Sequence, residues 1–212
     1  MVQGVAGAAP VFHPQMVNIY FVRHANQRLT KNDPPLTKLG QKNALKTGKF
    51  FLDKNIDLIL SSPQKRALET AEIIKSVLIN PPLMINPLLK ERINFGDVKG
   101  QTYKEFIEMW KKSTADRDFV LPNGESSRTT GDRMVSVVQI LVKGKYKNIV
   151  VATHGGAIID FIRNVFTDDE INNFVEKEKV YFKNLVAFAS ITQILVDETV
   201  KLVRLNYFDH LT

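Results

Sequence analysis

NIVVATHGGAIIDFIRNVF, residues 148–166, changes character halfway along. Up to Thr153 it is a short apolar run rich in β-branched residues, the pattern of a strand buried on both faces of a parallel sheet. From Ala157 onward, AIIDFIRNVF reads as a helix. His154 stands between the two, at the carboxyl end of the strand, where open α/β sheets bind their ligands. Gly155 and Gly156 at that junction let a ligand approach the backbone closely, and the helix start offers N–H groups to an anion.

Working outward, VNIYFVRHAN at 17–26 repeats the device, with a second buried-strand pattern that ends on Arg23 and His24. DLIL at 57–60 is a third strand. The segment at 61–78, SSPQKRALETAEIIKSVL, predicts a helix with Ser62 as N-cap and Pro63 at its first position. Ala67, Ala71, Ile74 and Leu78 face inward, and Arg66 lies in the first turn. Residues 102–112 and 126–143 predict further helices, the second with Met134, Val138 and Leu141 inward. The stretch at 185–208 closes the chain as a hairpin turning at 197–199. Strands alternating with helices in this order predict an α/β fold, a mostly parallel central sheet with helices on both faces.

With 212 residues, 44% of them apolar, the chain can bury the core of one domain, read as 16–212. Residues 1–15 read as a flexible N-terminal extension, and Met16 is a candidate start. The absence of cysteine excludes disulfides, zinc–thiolate sites and thiol nucleophiles, and fits a reducing, cytoplasmic location. No stretch approaches the roughly 18 apolar residues of a membrane helix, so no membrane partner is expected. The net charge is +7, and Lys38, Lys42, Lys46 and Lys49 recur at helical spacing after Thr37. No aromatic residue is interleaved with them, so they read as a solvated face and no nucleic-acid partner is expected.

Taken singly, the site signals are weak: a histidine at a strand end is more often structural, and Arg66 alone is a surface residue. Together, Arg23, His24, Arg66, His154 and the Gly155 helix start can meet one phosphate-sized anion. The planar fork of arginine matches phosphate oxygens, and neutral imidazole can serve as a nucleophile. The residues themselves do not say which histidine attacks.

These stretches make the chain resemble the histidine phosphatase superfamily, in the branch that holds cofactor-dependent phosphoglycerate mutases and their phosphatase relatives. The matching segments are Arg23-His24, PLTKLGQKNA from Pro35, SSPQKRALETAE from Ser61, LLKERINFGDVKG from Leu88, PNGES from Pro122, THGG from Thr153 and LNYFDHL near the end. The resemblance implies a phosphoglycerate mutase-like three-layer sandwich. His24 would be the nucleophile, Arg23, Arg66 and His154 would hold the phosphoryl oxygens, and Glu91 would be the proton donor. It also implies a small phosphorylated substrate, inorganic phosphate as product and no cofactor. A homodimer is compatible with it.

The sequence departs from the family pattern after Arg23-His24, reading ANQRLTKNDPPLT, and Asn26 is assigned only a polar contact to the phosphate. That loop is shorter than in the mutases, which favours hydrolysis of a phosphomonoester over a mutase reaction. A non-catalytic regulatory member of the fold is a further alternative. A metal hydrolase built on His24, His154 and Glu91 is disfavoured, since two arginines would repel the cation and no metal-ligand spacing is present. Residues 123–126 read as a turn followed by a helix cap, His210 as scaffold, and Trp110 as packing on the core or lining the pocket's lid, with helical spacing favouring core.

Overall fold

A computed structural model of the chain describes residues 16–178 and 186–212. Residues 1–15, expected to form an extension, lie outside the described residues. In chain order the elements are β1 (Val17–Arg23), α1 (Lys38–Phe50), β2 (Leu58–Ser61), α2 (Lys65–Ser76), β3 (Leu83–Ile85), α3 (Tyr103–Ala115) and α4 (Ser127–Val142). They are followed by β4 (Asn148–Thr153), α5 (Gly155–Val165), α6 (Asp168–Glu178), β5 (Ile191–Val196) and β6 (Val200–Tyr207).

The described strands form one six-stranded sheet in the order β3-β2-β4-β1-β5-β6. The first four run parallel, β5 pairs antiparallel with β1, and β6 pairs antiparallel with β5 as the predicted hairpin. Alternation along the strands divides the core in two. Val17, Ile19, Phe21, Leu58, Leu60, Ile149 and Val151 pack with Met134 and Val138 of α4 and Ile158 and Phe161 of α5. Tyr20, Val22, Ile59, Val150 and Ala152 point the other way, toward Ala71 and Ile74 of α2 and Phe51 past α1. Each such buried side chain contributes about 1.5–3 kcal/mol, which is why these runs are apolar on both faces. The sheet is thus mostly parallel with helices on both faces, as expected.

Local boundaries differ where tertiary contacts intervene. β2 runs one residue later than DLIL suggests, at Leu58–Ser61. Helix α2 does not begin at Pro63 under a Ser62 cap. Its N-cap is Gln64, which makes no side-chain cap bond, and the Lys65 N–H donates to both carboxylate oxygens of Asp33 at 2.9 Å. An acidic group 32 residues earlier therefore stands at the positive end of the helix, while the Ser62 hydroxyl accepts the Gln64 N–H at 3.3 Å and also meets His154. Leu78, expected inward on this helix, lies beyond its end and is half-buried. The short edge strand β3 and helix α6 had no counterpart in the sequence reading. Lys38, Lys42, Lys46 and Lys49 are all exposed along α1, whose opposite face buries Gly40, Ala44, Thr47 and Gly48. Among the described residues no helix is long and apolar enough to cross a membrane.

Candidate active site

The carboxyl ends of β1, β4 and β2 are adjacent, and their register brings the site together. Arg23 pairs with Thr153 and Ser61 with Ala152, while the His24 N–H donates to the Thr153 carbonyl at 2.8 Å. Each strand thus delivers its next residue, His24, His154 or Ser62, to one place. The His24 and His154 ring centroids are 5.3 Å apart, and His154 Nε2 lies 2.8 Å from the Ser62 hydroxyl.

Arg23, His24, Arg66, Glu91 and Gly155 line one cavity of about 430 Å³. His24 Nδ1 lies 2.9 Å from the Ala25 carbonyl oxygen, which can only accept, so this nitrogen carries the ring proton and Nε2 keeps a lone pair. Burial above all, and then the positive Arg66 and Arg23, push His24 well below the ordinary histidine range. The ring is neutral at physiological pH. Burial and Arg66 act in the same direction on His154.

Both arginines are held in place. The Arg23 guanidinium bonds the Val186 carbonyl and lies 3.9 Å over the Phe188 ring. Burial lowers Arg23 to about 10, partly offset by Glu91, and it stays charged at neutral pH. Arg66 donates to Asn94 Oδ1 at 2.9 Å and sits 3.5 Å from Asp33. Gln64 joins this network by donating to Asn94 Oδ1 at 2.5 Å and accepting the Glu91 N–H at 2.9 Å. Among the described residues Arg23 Nε, Arg66 Nε and His154 Nδ1 are buried without a partner; Arg23 and Arg66 line the cavity and His154 lies outside its lining.

Glu91 reaches the cavity from the irregular segment after β3. Its carboxylate accepts the Arg92 N–H and the Gly156 N–H, each at 3.0 Å. At the start of α5 the Gly156 N–H is thus taken by Glu91, while Gly155, the glycine assigned to the anion, lines the cavity. Gly156 is required sterically: a Cβ there would lie 2.5 Å from Glu91 Oε1 and 2.8 Å from Trp110 Cζ2.

Asn26 is not brought to the cavity. Its side-chain oxygen accepts from Asn43 at 3.0 Å and its carbonyl accepts the Thr37 N–H at 2.9 Å, so it braces the loop against α1 instead. In the structure Trp110 takes the pocket-lining alternative, not the core that its spacing favoured. It is half-buried and lines the cavity rather than the core, with the Arg92 guanidinium 4.8 Å over its ring. His210 does act as scaffold, with Nε2 at 3.0 Å from the Thr47 hydroxyl and its ring stacked on Tyr207. Ser126 caps α4 as read.

Sequence reading missed Arg92 and Asp160, which are almost fully buried and form a two-pronged ion pair at 2.5 and 2.6 Å. The signal was an aspartate in the middle of the apolar helix at 157–166, which can be buried only with a partner. Ser62, Gln64, Asn94 and Phe188 were missed too, and single polar or aromatic residues in loops carry no comparable signal.

Comparison with known proteins gives a consistent picture. The family model for the histidine phosphatase superfamily (branch 1) matches residues 19–176. Over 157 residues the chain is 29% identical to the putative phosphoserine phosphatase 2 of Hydrogenobacter thermophilus, covering 68% of this chain and 75% of that one. It is 32% identical over 129 residues to the uncharacterized phosphatase PhoE of Bacillus subtilis, covering 60% of this chain and 63% of that one. Among solved structures, Bacillus stearothermophilus YhfR shares the fold with a TM-score of 0.72 at 23% identity, over 92% of this chain and 100% of that one.

Proposed function

The chain belongs to the histidine phosphatase superfamily (branch 1), and from that premise we propose that it is a metal-independent phosphomonoesterase acting on a small phosphorylated metabolite through a phosphohistidine. The observation that carries the reading is a neutral His24, its lone pair on Nε2, in one cavity with Arg23 and Arg66, whose Nε atoms are buried without a partner among the described residues. Leaving such groups unpaired costs about 1–3 kcal/mol each, and phosphoryl oxygens would satisfy them together.

In the first step the His24 Nε2 lone pair attacks phosphorus and the bond to the ester oxygen breaks. That oxygen takes a proton from the Glu91 carboxyl and departs as the alcohol. In the second step water attacks the phosphohistidine, the P–N bond breaks, and Glu91 takes a proton from the water. Phosphate leaves and the imidazole is regenerated. Arg23, Arg66 and His154 hold the equatorial oxygens, so positioning and fixed charge carry the transfer.

Phosphate release from p-nitrophenyl phosphate in EDTA, with trapping of an acid-labile phosphoprotein, tests this. Wild type should turn over and label, and His24→Ala should do neither. Activity lost to EDTA and restored by zinc or magnesium would overturn the reading, and interconversion of 2- and 3-phosphoglycerate without net phosphate release would make the chain a mutase.

A further inference from the structure

Helix α3 is amphipathic, yet it buries only Ser113. Its apolar positions Tyr103, Phe106, Ile107 and Trp110 follow helical spacing and all line the cavity over His24. With Phe95 they form a continuous run of rings: Phe95 lies 5.3 Å from Tyr103 and 5.6 Å from Phe106, and Phe106 lies 6.0 Å from Trp110. The same cavity is lined by Phe188, whose ring packs on Arg23 and lies 5.5 Å from the His24 ring. A helix face that would ordinarily cover a core here covers open space continuous with the phosphate end of the site.

From this we propose that the phosphate ester accepted by the site has an apolar, ring-bearing leaving group, bound between the α3 rings and Phe188. The proposal rests on the phosphatase reading of the same cavity and names its substrate class.

The charges around this outer half support it. Arg92 lines the cavity, but four of its five N–H groups are taken, by Asp160 at Nε and Nη2 and by Ser113 and Thr114 at Nη1, which leaves one Nη2 N–H. Lys31 lies 5.6 Å over the Phe95 ring but does not line the cavity. Gln27, whose Oε1 is buried without a partner, supplies an uncharged polar group. Among the described residues a carboxylate against these rings would meet only the remaining Arg92 N–H and Lys31 above Phe95, whereas an aryl group gains by leaving water. Phosphoserine, suggested by the name of the Hydrogenobacter relative, fits this half poorly.

The test compares esters of primary alcohols, so that leaving-group basicity does not decide the result: 2-phenylethyl phosphate against glycerol 3-phosphate and O-phosphoserine. We expect kcat/KM for 2-phenylethyl phosphate to be at least about tenfold higher, mostly through KM, since even small apolar groups in such pockets are worth roughly tenfold or more. Phe106→Ala should collapse the ratio. Tyr103→Ala, at a residue 44% exposed and therefore lenient for folding, should reduce it. Calorimetric binding of 2-phenylethylphosphonate against 2-hydroxyethylphosphonate, neither of which can be hydrolysed, separates the two readings. If the aryl phosphonate binds at least tenfold tighter but no ester is turned over, the pocket assignment stands and the phosphatase reading fails. If phosphoserine is the better substrate, or the two phosphonates bind equally, the pocket assignment fails and hydrolysis is untouched.

Discussion

At the scale of single residues, Glu91 and Gly156 form a unit. The Glu91 carboxylate is aimed by two backbone N–H groups, one of them from Gly156. A proton donor matters only when the departing oxygen is basic. Glu91→Gln should therefore cut kcat/KM for an alkyl phosphate by roughly 100- to 10,000-fold and spare much more of the p-nitrophenyl phosphate rate. Equal proportional losses on both substrates would show that Glu91 only holds the site together. Gly156→Ala would drive a methyl group into Glu91 and Trp110, displacing the carboxylate while His24 stays in place. Kinetics of this variant should show the same substrate asymmetry, with a loss of roughly a hundredfold at most on alkyl esters. A loss independent of the leaving group would place the strain elsewhere.

At the scale of elements, two contacts position the catalytic segments, and each crosses from one element to another. Asp33 meets the first N–H of α2 and so fixes the turn that carries Arg66. The Arg92–Asp160 pair ties the segment bearing Glu91 to α5. Burial raises Asp160 above the usual carboxylate range, against the pull of Arg92 and Ser127. Removing one member of such a pair leaves a buried charge uncompensated. Asp160→Ala should cost about 3–5 kcal/mol in urea unfolding. Replacing the exposed end of α2 costs less, and Asp33→Ala should lose about 1 kcal/mol, the usual worth of a cap. If Asp160→Ala unfolds at the wild-type urea midpoint, the pair is energetically idle.

At the scale of the whole molecule, the buried histidines couple folding to pH. His24 and His154 are both held well below the ordinary value of 6.5, chiefly by burial. Below that value the unfolded chain takes up protons on these rings that the folded chain does not, so stability falls as pH falls through this window. Tm should decline between about pH 7 and pH 5, and His154→Gln should flatten the slope. A Tm that is constant across that range would contradict the assignment of two neutral buried rings. The basic surface should matter little: Lys42→Gln with Lys46→Gln should leave kcat/KM for a small phosphate ester within about threefold, because salt screens distant exposed charges. A loss confined to polyanionic esters would make the stripe a binding face.

The sequence by itself determined the strands that carry the site. Runs such as VNIYFVR and NIVVAT are apolar on both faces, and only a covered parallel sheet buries them, so Arg23, His24 and His154 had to emerge at carboxyl ends. It also placed Arg66 in the first turn of a helix from the Ser-Pro start at 62–63, although the helix itself begins at Lys65. Only the tertiary structure decided what those ends face. Periodicity says that one side of α3 is apolar but not whether core or cavity lies beneath it, so the spacing of Trp110 left both open and favoured core. Asn26, Asp33 and Ser62 have short polar side chains that serve equally as cap, brace or site residue, and their partners lie 17, 32 and 92 positions away. Local pattern records how a residue relates to its near neighbours along the chain. Contacts across such separations are set by how the helices pack on the sheet.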